Sequence, residues 1–232
     1  HFSVEDGLSS NSVRALMQDK YGFLWLGTDE GLNRYDGTNV KLYRLKKKGA
    51  NEAISSLHDT TDKIWIGTDE GVYSYDYKTE KITRFDLATP DDIRIKVNTN
   101  HITEDKDGNL WFATIGQGVF RYNPAGNQLE QYEFKSSNGL IASILVDSEN
   151  QIWAVTSWGE PGISKLNKVE NKFEPFLLTY ESRQHSSNAL IMLEDSEHTL
   201  WLGTWECGLQ KFDKYSGKTT VYLHPADGCL LY

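Results

Sequence analysis

Leu24-Trp25-Leu26-Gly27-Thr28-Asp29-Glu30-Gly31-Leu32-Asn33-Arg34-Tyr35-Asp36 returns almost unchanged as Ile64-Trp65-Ile66-Gly67-Thr68-Asp69-Glu70-Gly71-Val72-Tyr73-Ser74-Tyr75-Asp76. Three looser copies centre on Trp111, Trp153 and Trp201, so the steps from Trp to Trp are 40, 46, 42 and 48 residues. An Asp stands six residues before each Trp: Asp19, Asp59, Asp105, Asp147 and Asp195. A fixed inner spacing within a variable outer period marks one structural unit repeated, with the length changes carried by loops.

The first copy reads as four short strands. Val13 to Met17 is a mostly apolar run, and Asp19-Lys20-Tyr21-Gly22 has turn chemistry. Phe23 to Thr28 is a second run, Asp29-Glu30-Gly31 a second turn, and Leu32 to Tyr35 and Val40 to Leu45 complete the set. The run around Trp25 is apolar on both pleat faces, so both must be covered, which stacked sheets accomplish. No run reaches the length of an ordinary helix before glycine interrupts it. The expected architecture is therefore all-β: a β-propeller with five four-stranded blades over 11–45, 53–87, 97–134, 140–178 and 188–224. His1 to Val4 takes the place of an outer strand from a closing blade, and 225–232 starts a further one. Residues 1–232 then form one propeller fragment of a larger, seven-bladed ring; the alternative is a closed five-bladed ring. An unclosed propeller exposes a blade face and strand edges. The chain is thus expected either to associate through its open ends or to be accompanied by the remaining blades.

Composition limits the partners. A net charge of −9 over 232 residues gives no basic footprint for nucleic acid or for an anionic membrane surface. No apolar run approaches the length of a membrane span. Two cysteines are too few for a disulfide framework. The six histidines show no metal-ligand spacing with them, so no metal, cofactor or catalytic residue is expected.

With strands named a to d from the inner to the outer edge, alternation puts a–b and c–d turns on one face of a blade and b–c turns and d–a crossovers on the other. The a–b turns look uniform, each starting at the Asp of the repeat. The b–c turns vary: Asp29-Glu30, Asp69-Glu70, Ile115-Gly116-Gln117, Ser157-Trp158-Gly159-Glu160-Pro161 and Trp205-Glu206-Cys207. The long crossovers, Ala88 to Asn100 and Thr179 to Asn188 among them, share that face. Variable loops on a rigid repeat are the usual seat of binding.

Gly7-Leu8-Ser9-Ser10-Asn11-Ser12-Val13, then Asp19, then Gly22-Phe23-Leu24-Trp25-Leu26-Gly27-Thr28, then Gly31-Leu32-Asn33-Arg34-Tyr35-Asp36, resembles the regulator-propeller repeat. That repeat builds periplasmic sensor domains of hybrid two-component systems in gut Bacteroidetes. The resemblance covers nearly the whole chain and is weakest in the fourth copy, where Val155 replaces the Gly after Trp, Leu166 replaces the aromatic, and Gly159-Glu160-Pro161 is inserted. It implies a periplasmic domain that senses an oligosaccharide, with kinase and other signalling domains elsewhere in the parent chain, and it is compatible with a homodimer. It brings no fixed set of binding residues.

Ligand candidates therefore rest on the loops. Trp158 and Trp205 are extra to the repeat and lie in b–c turns, where an indole offers a stacking face to a sugar ring; packing at the blade rim is the bland alternative. Glu160 and Glu206 stand beside them, and Gln117 lies in the third b–c turn. Arg94 and Arg183 lie in long crossovers, where they pair with an acidic sugar or merely anchor the loop. Cys207 and Cys229 fall on the same face, and a periplasmic location permits a disulfide between them. Two other functions stay open: a glycan-active propeller enzyme, for which Glu160 and Glu206 are a carboxylate pair, and a protein–protein assembly module.

Overall fold

Glycine-punctuated apolar runs fold into hairpins laid side by side in five sheets. The computed structural model describes residues 3–45, 53–134, 139–156, 162–180, 188–205 and 208–222. The chain divides into two units, 1–102 and 103–232.

In the first unit, blade 1 holds β1 (Val13–Gln18), β2 (Leu24–Thr28), β3 (Gly31–Tyr35) and β4 (Val40–Tyr43). Blade 2 holds β5 (Ile54–Asp59), β6 (Lys63–Thr68), β7 (Gly71–Asp76) and β8 (Lys81–Arg84). The third sheet opens with β9 (Thr99–Glu104), which crosses the unit boundary, and continues in the second unit with β10 (Leu110–Thr114), β11 (Val119–Asn123) and β12 (Gln128–Tyr132). Blade 4 holds β13 (Ile141–Val146), β14 (Ile152–Thr156), β15 (Ile163–Asn167) and β16 (Lys172–Pro175). A two-residue strand β17 (Thr179–Tyr180) precedes β18 (Ala189–Glu194), β19 (Leu200–Thr204), β20 (Leu209–Phe212) and β21 (Lys218–Tyr222) in blade 5. Every sheet runs in sequence order, as hairpin-linked strands must, and the fold is all-β with propeller-type blades. The exception is β17, read from sequence as crossover, which pairs in parallel with the outer strand β21. It adds a fifth strand and covers part of an edge.

Four inner strands slip register by one residue near their start, at Arg14, Ser55, Ala142 and Leu190. Such a bulge re-aims the strand end without disturbing the ladder beyond it. Each unit has its own core. Trp25, Leu32, Tyr43, Ile54, Ile64 and Tyr75 pack together in the first. In the second, one cluster gathers Trp111, Ala113, Ile141 and Ile144, and another gathers Trp153, Val155, Ala189 and Phe212.

The repeated Asp is a structural device in four blades. In blade 1 the Asp19 carboxylate accepts the backbone N–H of Tyr21 at 2.9 Å and of Phe23 at 3.0 Å with one oxygen, and the Trp25 indole N–H at 2.7 Å with the other. Trp111 reaches Asp105 at 2.8 Å, Trp153 reaches Asp147 at 3.0 Å and Trp201 reaches Asp195 at 2.7 Å. One carboxylate thereby closes the turn and fixes the rotamer of the core indole. The residue opposite each of these indoles on the next strand is basic: Arg34, Arg121, Lys165 and Lys211 lie 4.9–5.8 Å from the ring centroids, a cation–π distance.

Blade 2 corrects the expectation of uniform a–b turns. Its turn closes with Thr60 N–H on the Lys63 carbonyl, where blade 1 closes Asp19 on Phe23, so it is one residue shorter. The longer turns need a residue with positive φ, supplied by Gly22, Gly108, Asn150 and His198. At the same position blade 2 has Asp62. Asp59 consequently stays on the strand, opposite Ile64, and its carboxylate takes the Tyr77 hydroxyl at 2.7 Å and the Lys20 N–H of blade 1 at 3.0 Å.

The expected outer strand over 1–4 is also corrected. Residues 1–2 lie outside the described residues, and Val4–Asp6 forms a 3-10 turn. The cause is local: the Asp6 carboxylate accepts the Ser3 N–H at 2.8 Å, and the Ser3 hydroxyl accepts the Glu5 N–H at 3.2 Å.

Candidate functional site

Four of the b–c turns are held by a lock that recurs from blade to blade. In four blades the Thr that ends the second strand donates across the turn: Thr28 Oγ1 to the Gly31 carbonyl at 3.0 Å, Thr68 Oγ1 to Gly71 at 2.9 Å, Thr114 Oγ1 to Gly118 at 2.7 Å and Thr204 Oγ1 to Gly208 at 3.0 Å. A side chain from the fourth strand, or from the residue just after it, then caps a turn carbonyl: Arg44 on Glu30 at 2.9 Å, Arg84 on Glu70 at 3.1 Å and Gln131 on Gln117 at 2.8 Å. The offset is 14 residues each time, a signal present in the sequence and not used above. In blade 1 the crossover is tied in too, because buried Asn33 exchanges bonds of 3.0 and 2.8 Å with Ser9. These turns are rigid platforms.

The aspartates of these turns in the first unit are committed to structure. Arg14, re-aimed by its bulge, forms an ion pair with Asp29. Asn98, at the end of the long crossover, donates to Asp69 at 2.6 Å. Arg94 pairs with Asp92 at 2.5 Å and Asp86 at 3.6 Å, so its charge is met by carboxylates of its own loop.

In the second unit Gln117 is half-buried between Gly116 and Gly118. Both glycine N–H groups reach the Gly139 carbonyl, at 2.8 and 3.2 Å. A Cβ on Gly139 would lie 2.9 Å from that turn's backbone, so the third b–c turn and the chain entering blade 4 are locked by a residue without a side chain. Trp205 differs from the repeat tryptophans. Trp25 and Trp153 are fully buried, whereas Trp205 is 65% exposed. Its backbone is nevertheless fixed, since its N–H donates to the Asn188 carbonyl at 2.9 Å and the turn closes Thr204 on Gly208 at 3.0 Å. An immobilised backbone carrying an open indole is an apolar face with a polar edge, suited to stacking. Trp158, Glu160, Arg183, Glu206, Cys207 and Cys229 lie outside the described residues.

The opposite ends of the second unit's blades are self-satisfied. A cavity of about 210 Å³ is lined by Asp105, Asp107, Trp111, Arg121, Lys168 and Asn171. Its charged groups are engaged with one another or with neighbours: Asp107 accepts from Asn150 at 3.1 Å, Lys168 donates to the Asn150 carbonyl at 2.6 Å, and Arg121 faces Glu130 at 3.6 Å. Nearby, buried Lys214 sits among Glu149 at 3.0 Å, Glu194 at 3.5 Å and Asp147 at 3.7 Å. Burial works to lower its pKa, but these carboxylates outweigh burial and raise it, so it stays an ammonium clip between blades 4 and 5. Among the described residues no group of three or more His, Cys, Asp or Glu side chains is placed to hold a metal ion, and no helix is long and apolar enough to cross a membrane.

Comparison with known proteins fits this architecture. Residues 2–159, more than half of the chain, match the family model described as SMP-30/Gluconolactonase/LRE-like region. A 43-residue stretch, 18% of this chain and 3% of the relative, is 54% identical to histidine kinase P4 of Formosa agariphila. The extracellular domain of BT3049 from B. thetaiotaomicron, described as a hybrid two component system, superposes with a TM-score of 0.79 at 24% identity, over 95% of this chain and 31% of that one. Virginiamycin B lyase from Staphylococcus aureus superposes with a TM-score of 0.73 at 15% identity, over 93% of this chain and 71% of that one. The chain thus spans only a small part of the histidine kinase and about a third of the extracellular domain.

Proposed function

We propose that this chain, which belongs to the SMP-30/gluconolactonase/LRE-like region family, is the ligand-sensing part of a hybrid two-component regulator and works in the periplasm on an oligosaccharide. The observation that carries this reading is Trp205: an indole 65% exposed on a residue whose own N–H is held by the Asn188 carbonyl, in a protein that buries Trp25, Trp65, Trp111 and Trp153 of its repeat in blade cores. Stacking on such a face is sequence-tolerant toward pyranose rings and needs little reordering of the protein. Trp158 is the second platform, Glu160 and Glu206 accept sugar hydroxyls, Gln117 can donate and accept, and Arg183 serves an acidic substituent. Arg94 contributes least, because Asp86 and Asp92 already hold it. The kinase belongs to another part of the parent chain, in keeping with the short stretch of strong identity to histidine kinase P4.

Titration calorimetry with a panel of glycan oligosaccharides tests this directly, using the native chain, Trp205→Ala and Trp158→Ala. Saturable binding that both substitutions weaken at least tenfold, with unchanged melting, is the expected outcome. Binding indifferent to both would move the site to other turns. Absence of binding across the panel would favour an assembly role. The likeness to virginiamycin B lyase keeps a propeller enzyme as the second reading; release of shortened oligosaccharides during the titration would select it.

A further inference from the structure

We infer that the cavity between the third and fourth blades, within the second unit, binds a small apolar α-amino acid as its zwitterion. The repeat lets this junction be compared with two others. Two positions face each other at each one. The first is the residue two after the repeat Asp, whose N–H bonds that Asp. The second follows the Asp or Asn that opens the c–d turn of the next blade. Between blades 4 and 5 these are Glu149 and Lys214, an ion pair at 3.0 Å. Between blades 1 and 2 they are Tyr21 and Tyr77, ring against ring with centroids 5.3 Å apart. Between blades 3 and 4 they are Asp107 and Lys168, opposite in charge again, yet they form no ion pair. Both line the cavity of about 210 Å³ instead.

Asn150 holds the two apart. Its carbonyl takes the Lys168 ammonium at 2.6 Å, and its side-chain amide donates to one Asp107 oxygen at 3.1 Å while its side-chain oxygen takes the Lys106 N–H at 2.9 Å. One bond each leaves Asp107 a carboxylate oxygen and Lys168 two N–H groups for another partner. Arg121 lines the same cavity, stacked over Trp111 and no closer than 3.6 Å to Glu130. Ile152 and Leu166 supply an apolar wall. The volume is about seven times a water's share of the liquid, more room than one or two bridging waters fill. A cationic side, an anionic side and an apolar wall around one small space match an α-amino acid. Its carboxylate bonds Lys168 and Arg121, its ammonium bonds Asp107, and its side chain meets Ile152 and Leu166. The ligand thereby completes the salt link that Glu149 and Lys214 make directly at the next junction. The cavity lies at the a–b turns, the opposite end of the blades from Trp205, so its ligand is separate from the sugar proposed there.

Calorimetric titration of the native chain with valine tests this, beside isovalerate, which lacks the ammonium, and isobutylamine, which lacks the carboxylate. Valine is expected to bind saturably, and each analogue at least tenfold more weakly. Asp107→Asn and Lys168→Met are the variants; both side chains are exposed, and unchanged circular dichroism and melting check that the variants fold. Asp107→Asn should bring valine down to the level of isovalerate, and Lys168→Met should weaken valine and isovalerate alike. A merely structural role for either residue would not change this discrimination between ligands. Should Asp107→Asn disturb its turn, Lys168→Met carries the test alone. No saturable binding of valine, isovalerate binding as tightly as valine, or valine affinity unchanged in the folded variants each overturns the inference, and the first leaves the cavity to water.

Discussion

Two blade junctions, one in each unit, solve the same packing problem with opposite residues. At the first, Gly27 lies against Ile54; an added Cβ would stand 2.5 Å from Ile54 Cγ2 and 2.8 Å from Ile54 Cβ. At the second, the equivalent residues are Val155 and Ala189, fully buried members of one cluster. The large and small partners have exchanged sides. Gly67 faces Thr99 at a third junction, where a Cβ would sit 2.4 Å from the Thr99 carbonyl oxygen. What the repeat preserves is therefore the volume shared across a junction, as close packing requires, and not the residue at either position. Val155, which reads in sequence as the sharpest departure from the repeat, is no defect: Ala189 makes room for it.

Breaking the first junction should have the largest effect. Gly27→Val is expected to destabilise the chain by about 3 kcal/mol through overpacking. Adding Ile54→Ala recreates the Val155–Ala189 arrangement, so the double variant should be less damaged than the sum of the singles by about 1 kcal/mol or more, measured by urea unfolding. Strict additivity would mean that the two positions do not share one volume. Opening the second junction by Val155→Gly should cost about 2 kcal/mol, from lost burial and a remaining cavity, with partial recovery by Ala189→Ile.

Next comes a polar residue at a junction position. His58 stands opposite Trp65, where blades 1 and 4 place Met17 and Leu145. Burial, reinforced by the His101 charge and opposed by Asp59, lowers its pKa to about 4. The unfolded chain therefore binds this proton first as pH falls. The stability is full above an ordinary histidine pKa near 6.5 and is lost as pH drops toward 4. A loss of about 1–2 kcal/mol between pH 7 and pH 5 is expected, and His58→Met should flatten it, as thermal melts across that range would reveal. The smallest effect on stability belongs to Trp205→Ala, within about 0.5 kcal/mol, because its side chain is exposed and its turn is held by backbone bonds.

Much of the fold was legible because the repeat carries its own checks. Trp, the Asp six residues before it and the glycine-marked turns recur together, and the four-stranded sheets follow from them. The exceptions have local causes. Asp62 at the position of Gly22 shortens one turn and frees Asp59 from its indole, and a capping bond between Ser3 and Asp6 coils a segment that patterns as strand. Pairing across blades was less legible. Nothing in the order of residues places Arg14 on Asp29, because the bulge that turns it is a property of strand pairing. Of the candidate site, Trp205 was visible as a tryptophan outside the repeat, and its exposure bears on stacking. The commitment of Arg94 to Asp86 and Asp92 was not visible, since both carboxylates lie in an irregular crossover with no period to read.

The most direct test of the sensing account is the emission of Trp205 itself. Its exposed indole should emit at longer wavelength than the buried tryptophans of the repeat. A binding oligosaccharide should produce a saturable blue shift in the native chain, with the same midpoint as the calorimetric heat. In Trp205→Phe the heat should persist in weakened form while the blue shift shrinks to the part that Trp158 contributes. A blue shift of undiminished size in that variant, or binding heat with no spectral change in the native chain, would place the ligand away from Trp205 and contradict the account.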